Sequence, residues 1–173
     1  MAKVIKCKLD ADSIQNAIDE LKAYRESIYD KLEDLMNALL QDGSIEAMTR
    51  LGTTVGDSTN AVIEKTVPIK SGDKVVATIC LVGKDCLFVE FGAGIYYNNG
   101  NAHPYAAEFG YGVGTYPSEH PPNRAINPGY WWYKGADGAK HLSLGTQASM
   151  PIYYASEHMR NNAVARAVEV FRS

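Results

Sequence analysis

Residues 3–9 alternate, with Val4, Lys6 and Lys8 on one side and Ile5, Cys7 and Leu9 on the other. A period of two predicts a half-buried strand. Asp12 or Ser13 then caps a predicted helix, with Gln15 three residues after Asp12 as in a capping box. Along it, Ile14, Ile18, Leu21, Ile28, Leu32, Leu35 and Leu39 recur at spacings of three and four, and Arg25 takes the slot of a further apolar residue. The stripe is narrow, like a coiled-coil seam. The helix is expected to lie across its own sheet; the alternative packs it partly on a neighbouring subunit. Asp42-Gly43 marks its stop, since glycine takes the left-handed position after a helix without a Cβ penalty. Ser44 caps a shorter helix to about Leu51.

Residues 61–69 and the β-branched run 74–82 read as strands separated by a Ser71-Gly72-Asp73 turn. After Gly83-Lys84-Asp85, residues 86–91 read as another strand, making an antiparallel meander. Ser149 caps a last helix that carries Met150-Pro151 in its first turn, where proline is tolerated. Ile152, Ala155, Met159, Ala163, Ala167 and Val170 follow at helical spacing. The order predicts an α+β fold, with a long N-terminal and a C-terminal helix packed on an antiparallel sheet of hairpins. It forms a single domain, 1–173.

Between them, residues 92–145 have no regular period and read as a long insertion. They hold ten of the fifteen glycines, seven of the eleven tyrosines and both tryptophans. Tyrosine offers large contact area at low entropic cost, so this composition suits a binding surface. Trp131 and Trp132 are adjacent and face opposite ways in an extended stretch.

Composition narrows the function classes. Charged residues make up 21% of the 173 and apolar ones 46%, a globular balance. A net charge of −3 argues against nonspecific nucleic-acid binding, which needs a basic face. Cys7, Cys80 and Cys86 are odd in number and read as reduced thiols, with a Cys80–Cys86 disulfide as the alternative. No apolar run fits a signal peptide or a membrane span.

The chemistry-bearing residues form no catalytic or metal-binding pattern. His103, His120, His141 and His158 lack metal-ligand spacing, and the three in the glycine-rich segment read as polar loop residues. Ser118-Glu119-His120 is contiguous, so its side chains fan apart instead of forming a triad. Gly110-Tyr111-Gly112-Val113-Gly114 lacks the strand and helix of a phosphate loop. Glu90 closes a predicted strand without a second carboxylate placed beside it. No cofactor is implied. Two structural partners are open to Glu90: Arg160 of the last helix, or the backbone N–H groups of the Gly92–Gly94 turn.

Two segments carry a resemblance. One is Phe88-Val89-Glu90-Phe91-Gly92-Ala93-Gly94-Ile95, with His103-Pro104 after it. The other is Gly145-Thr146-Gln147-Ala148-Ser149-Met150-Pro151-Ile152-Tyr153-Tyr154-Ala155, leading into Ala167-Val168-Glu169-Val170-Phe171. With the long first helix, the chain resembles the head–tail joining and tail-completion proteins of long-tailed bacteriophages, in order over nearly its whole length. It departs from their commoner pattern at Thr53-Thr54-Val55-Gly56-Asp57 and in the length of 92–145.

The resemblance implies a structural virion protein of the phage neck, made in the bacterial host cytoplasm. It implies a homo-oligomeric ring, six- or twelve-fold, touching adjacent neck and tail proteins, with no membrane contact and with DNA at most passing through the lumen. A phage-associated hydrolase and a monomeric binding module are the alternatives. The candidate contact residues are Glu90, Phe91, Gly92 and Gly94; Tyr96, Tyr97, Tyr111 and Tyr116; Trp131, Trp132 and Tyr133; and Met150, Pro151, Tyr153 and Arg160.

Overall fold

A computed structural model describes residues 4–54, 56, 60–94, 103–111 and 130–172, apart from the side chain of Trp131. Two helices dominate. Helix α1 spans Ala11–Gly52 and helix α4 spans Pro151–Arg172. The α+β fold follows from the sequence pattern, with the two helices packed on each other beside small two-stranded antiparallel sheets.

Residues 4–8 are not a strand. Asp10, not Asp12 or Ser13, caps α1: its carboxylate accepts the Ser13 N–H at 2.8 Å, and Ser13 Oγ accepts the Lys8 N–H at 2.7 Å. The helix also runs through Asp42-Gly43 instead of stopping there, absorbing the shorter helix expected from Ser44. The glycine serves packing instead. A Cβ at Gly43 would lie 2.6 Å from Met159 Sδ, so its absence lets α4 approach the α1 backbone.

Beside it, Asp42 and Arg166 form a two-pronged bridge, Nε to Oδ2 at 2.8 Å and Nη2 to Oδ1 at 2.9 Å. Arg166 holds the Asp42 carboxyl below its ordinary value of 3.8. Farther along, Lys31 Nζ donates to the Val170 carbonyl at 2.9 Å, and the Arg50 guanidinium stacks 3.8 Å over the Tyr154 ring. The helices are therefore antiparallel and joined along all of α4.

The first turns of α1 lie outside that joint. Ile14, Ile18, Leu21 and Tyr24 are 41–55% exposed, whereas Leu40 and Ala47 are buried. The stripe thus has two halves, one packed internally and one uncovered.

The expected meander is a single hairpin with an interruption. β1 (Val62–Lys65) pairs with β4 (Ile79–Val82), and β2 (Ile69–Ser71) with β3 (Lys74–Val76). Three residues separate β1 from β2 but only two separate β3 from β4, so the register slips by one at a bulge. Pro68, which cannot donate to a ladder, falls in that bulge. The tip reaches α1, where Lys70 lies over the Tyr29 ring and pairs with Glu26.

Residues 86–91 are not a strand but a short helix, α2 (Cys86–Phe91). Four alternating residues do not separate a period of two from a period of 3.6. As a helix the segment buries Val89 completely. The stretch 92–145 is more regular than its composition suggests. It contains α3 (Ala106–Phe109) and a hairpin of β5 (Trp131–Lys134) with β6 (Lys140–Ser143), and it buries His103, Ala106 and Ser143. Cys7, Cys80 and Cys86 are free thiols. No described helix is long and apolar enough to cross a membrane.

Candidate functional site

Helix α4 begins without a cap of its own. Pro151 has no N–H, and the N–H groups of Ile152 and Tyr153 are two of the four a helix leaves unpaired at its start. Glu90 supplies the acceptor from α2. Its Oε2 accepts from Ile152 at 2.9 Å and its Oε1 from Tyr153 at 2.8 Å. The carboxylate also lies at the positive end of the helix dipole. Ser149, the expected cap, is used elsewhere: its N–H and hydroxyl both donate to the Val89 carbonyl, and its Oγ meets Thr54 Oγ1 at 2.7 Å.

Neither partner expected for Glu90 is the one found. Arg160 pairs with Glu157, one turn away on its own helix. The Gly92 N–H donates to Phe88 and the Ala93 N–H to Thr146. Instead His103 approaches, with Nε2 3.3 Å from Glu90 Oε1. Its Nδ1 accepts the Tyr105 N–H at 3.0 Å, which puts the imidazole proton on Nε2, facing the carboxylate. Only 5% of His103 and 8% of Glu90 are exposed. His103 is thus a buried partner and not a loop residue.

The backbone around the pair is tightly constrained. Gly92 and Gly94 take φ of 78° and 72°, a region that suits glycine. The Ala93 and Thr146 backbones exchange hydrogen bonds at 2.9 and 3.0 Å. Met150 has φ 54° directly before Pro151, a conformation that costs about 1–3 kcal/mol and that the surrounding bonds must hold.

Aromatic rings enclose the site. Phe91 lies 4.5 Å from the His103 ring, 5.4 Å from Phe109 and 5.6 Å from Tyr111, and His103 lies 5.2 Å from Tyr153. Over them opens a groove of about 500 Å³, walled by Leu81, Leu87, Tyr105 and Tyr153, with Glu90 and His103 in its lining.

The candidate residues therefore divide. Glu90, Phe91, Gly92, Gly94, Tyr111, Met150, Pro151 and Tyr153 converge on this site. Trp132 and Tyr133 sit on the β5–β6 hairpin, and Arg160 on the outer face of α4. Tyr96, Tyr97, Tyr116 and the Trp131 side chain lie outside the described residues. Sequence reasoning missed His103 and Tyr105, although His103-Pro104 stood beside the first segment that carries the resemblance. Among the described residues no three His, Cys, Asp or Glu side chains gather as metal ligands. Compared with protein-family models, curated proteins and solved structures, the chain matches none of them.

Proposed function

We propose that this chain is a structural subunit of a phage neck, a ring component joining head and tail. One observation carries the reading. The Phe-Val-Glu-Phe-Gly segment and the Met-Pro-Ile-Tyr segment, which bear the resemblance, are joined through Glu90 to Ile152 and Tyr153 and through Val89 to Ser149. Sequence features some sixty positions apart thus act as one structural unit, as a shared architectural motif requires. The site's acid accepts two backbone N–H groups, a capping role.

A hydrolase reading has one observation in its favour, the Glu90–His103 pair beside an open groove. A general acid or base needs a proton site free to face substrate. Here the Nε2 proton is directed at Glu90, and each carboxylate oxygen is tied to a backbone N–H of α4, which fixes the acid as the cap of that helix.

The test is mass measurement over a range of concentrations, with and without neck partners, followed by complementation of heads and tails assembled without this subunit. A closed ring and joined particles are expected. A chain that stays monomeric throughout refutes the ring.

A further inference from the structure

The groove beside Glu90 has a complement on the same molecule. In the β5–β6 hairpin, Trp132 pairs with Leu142 and Lys134 with Lys140. Alternation puts all four on one face. Trp132 is 58% exposed and Leu142 45%, and both lysines are exposed. The pairing Lys134–Lys140 sets like charges directly opposite each other, which destabilises a hairpin. Neither lysine is in an ion pair among the described residues. The face is thus apolar and flanked by two positive charges that have no ion-pair partner among the described residues.

The groove has the opposite character. Its walls are aliphatic and aromatic, and its one carboxylate among the described residues, Glu90, is buried. A carboxylate offers about four acceptor positions. Two are filled by Ile152 and Tyr153 and a third faces His103, which leaves Oε2 with capacity for one more donor.

We propose that the β5–β6 face of one copy seats in the groove of the next copy, with Trp132 and Leu142 against its walls and Lys134 or Lys140 turned to Glu90. Sign and polarity match on both sides, and both halves belong to this chain, so a second copy is the occupant. The two surfaces are different patches, so the contact is head-to-tail, the type that generates rings when the rotation closes. The inference rests on the ring reading and names its subunit contact.

Two variants at exposed positions test it. Trp132→Ala removes the largest apolar side chain of the hairpin face and leaves the groove intact. Leu87→Asp puts a charge in the groove wall and leaves the hairpin intact; Leu87 is 44% exposed. Each alone is expected to weaken self-association roughly 30-fold or more, the range of an interface hot spot. Mixed together, they should form a one-to-one complex that neither forms alone, because one intact hairpin meets one intact groove. Far-UV circular dichroism establishes that both are folded.

A second measurement needs no interface variant. Cys80 and Cys86 line the groove. On a Cys7→Ser background, a maleimide should label them in the monomer and be excluded in the assembly. Variants that assemble like the parent, a folded mixture that stays monomeric, or a ring whose Cys86 labels as fast as the monomer's would each overturn this contact while leaving the ring reading intact. A parent chain monomeric at every concentration overturns both.

Discussion

Replacing Glu90 by glutamine keeps the shape of the side chain but removes its charge and one acceptor. Two backbone donors rest on two different oxygens, at 2.8 and 2.9 Å. An amide can accept one of them and must turn its NH₂ on the other. A buried N–H left unpaired costs about 1–3 kcal/mol. Losing a negative charge at a partly buried helix N-terminus costs a further ~0.3–2 kcal/mol. We expect a total near 2–4 kcal/mol. For a chain of this size each kcal/mol shifts the melting temperature by about 2–4 °C. The melting temperature followed by circular dichroism should therefore fall by roughly 4–16 °C. Amide hydrogen exchange should quicken at Ile152 or Tyr153, whichever faces the NH₂. A Glu90→Gln protein that melts within 2 °C of the parent with both amides still protected would falsify the capping role.

Further outcomes follow from the α1–α4 joint. Gly43→Leu forces side-chain atoms into the space of Met159 and should destabilise by about 1–2 kcal/mol after the gain in helix propensity. Gly52→Ala, whose Cβ meets nothing within 4 Å, should stabilise by about 0.5–1 kcal/mol; equal denaturation midpoints for the two would refute the packing account. Ser44 Oγ is buried without a hydrogen-bond partner among the described residues, so Ser44→Ala should raise the urea midpoint by up to about 1 kcal/mol in stability, and a loss would mean that the hydroxyl is bonded. Asp42 has its folded pKa depressed by Arg166, so its contribution is present above the unfolded value of 3.8 and lost as pH falls through the folded one. Asp42→Asn should cost about 1 kcal/mol at pH 7, discounted for the 39% exposure of the Arg166 side chain, and the gap to the parent should close as pH falls from 3.8 through the depressed folded value; a gap that stays constant across that fall would refute the linkage.

Long-period features were legible in the sequence and short ones were not. The stripe from Ile14 to Leu39 announced α1, and the helical spacing from Ile152 announced α4, because many residues repeat each signal. Gly43 read as a stop because local propensity favours that reading; only the position of Met159 on a helix more than a hundred residues later turns it into a contact. Phe88 to Phe91 alternate for too few residues to fix a period, so the local pattern predicts a strand where α2 forms. For the site, Glu90 and Met150-Pro151 stood out locally, but their union is tertiary. His103 offered no signal of burial, since a lone histidine in a glycine-rich stretch looks the same whether its partner is water or a carboxylate.

Helix α1 is about 63 Å long at 1.5 Å per residue, and α4 about 33 Å. The stretch from Ala11 to Arg25, about 22 Å, therefore outruns the helix to which the rest is clamped. Such an arm amplifies angle into distance. A tilt of about 10° at Arg25 carries its tip roughly 4 Å sideways, close to the width of a methyl group, while the Asp42–Arg166 joint, about 25 Å away on the clamped side of that pivot, stays with the body. Whatever surface receives Ile14, Ile18 and Leu21 thus registers small rotations of the body as a full change of side-chain seating.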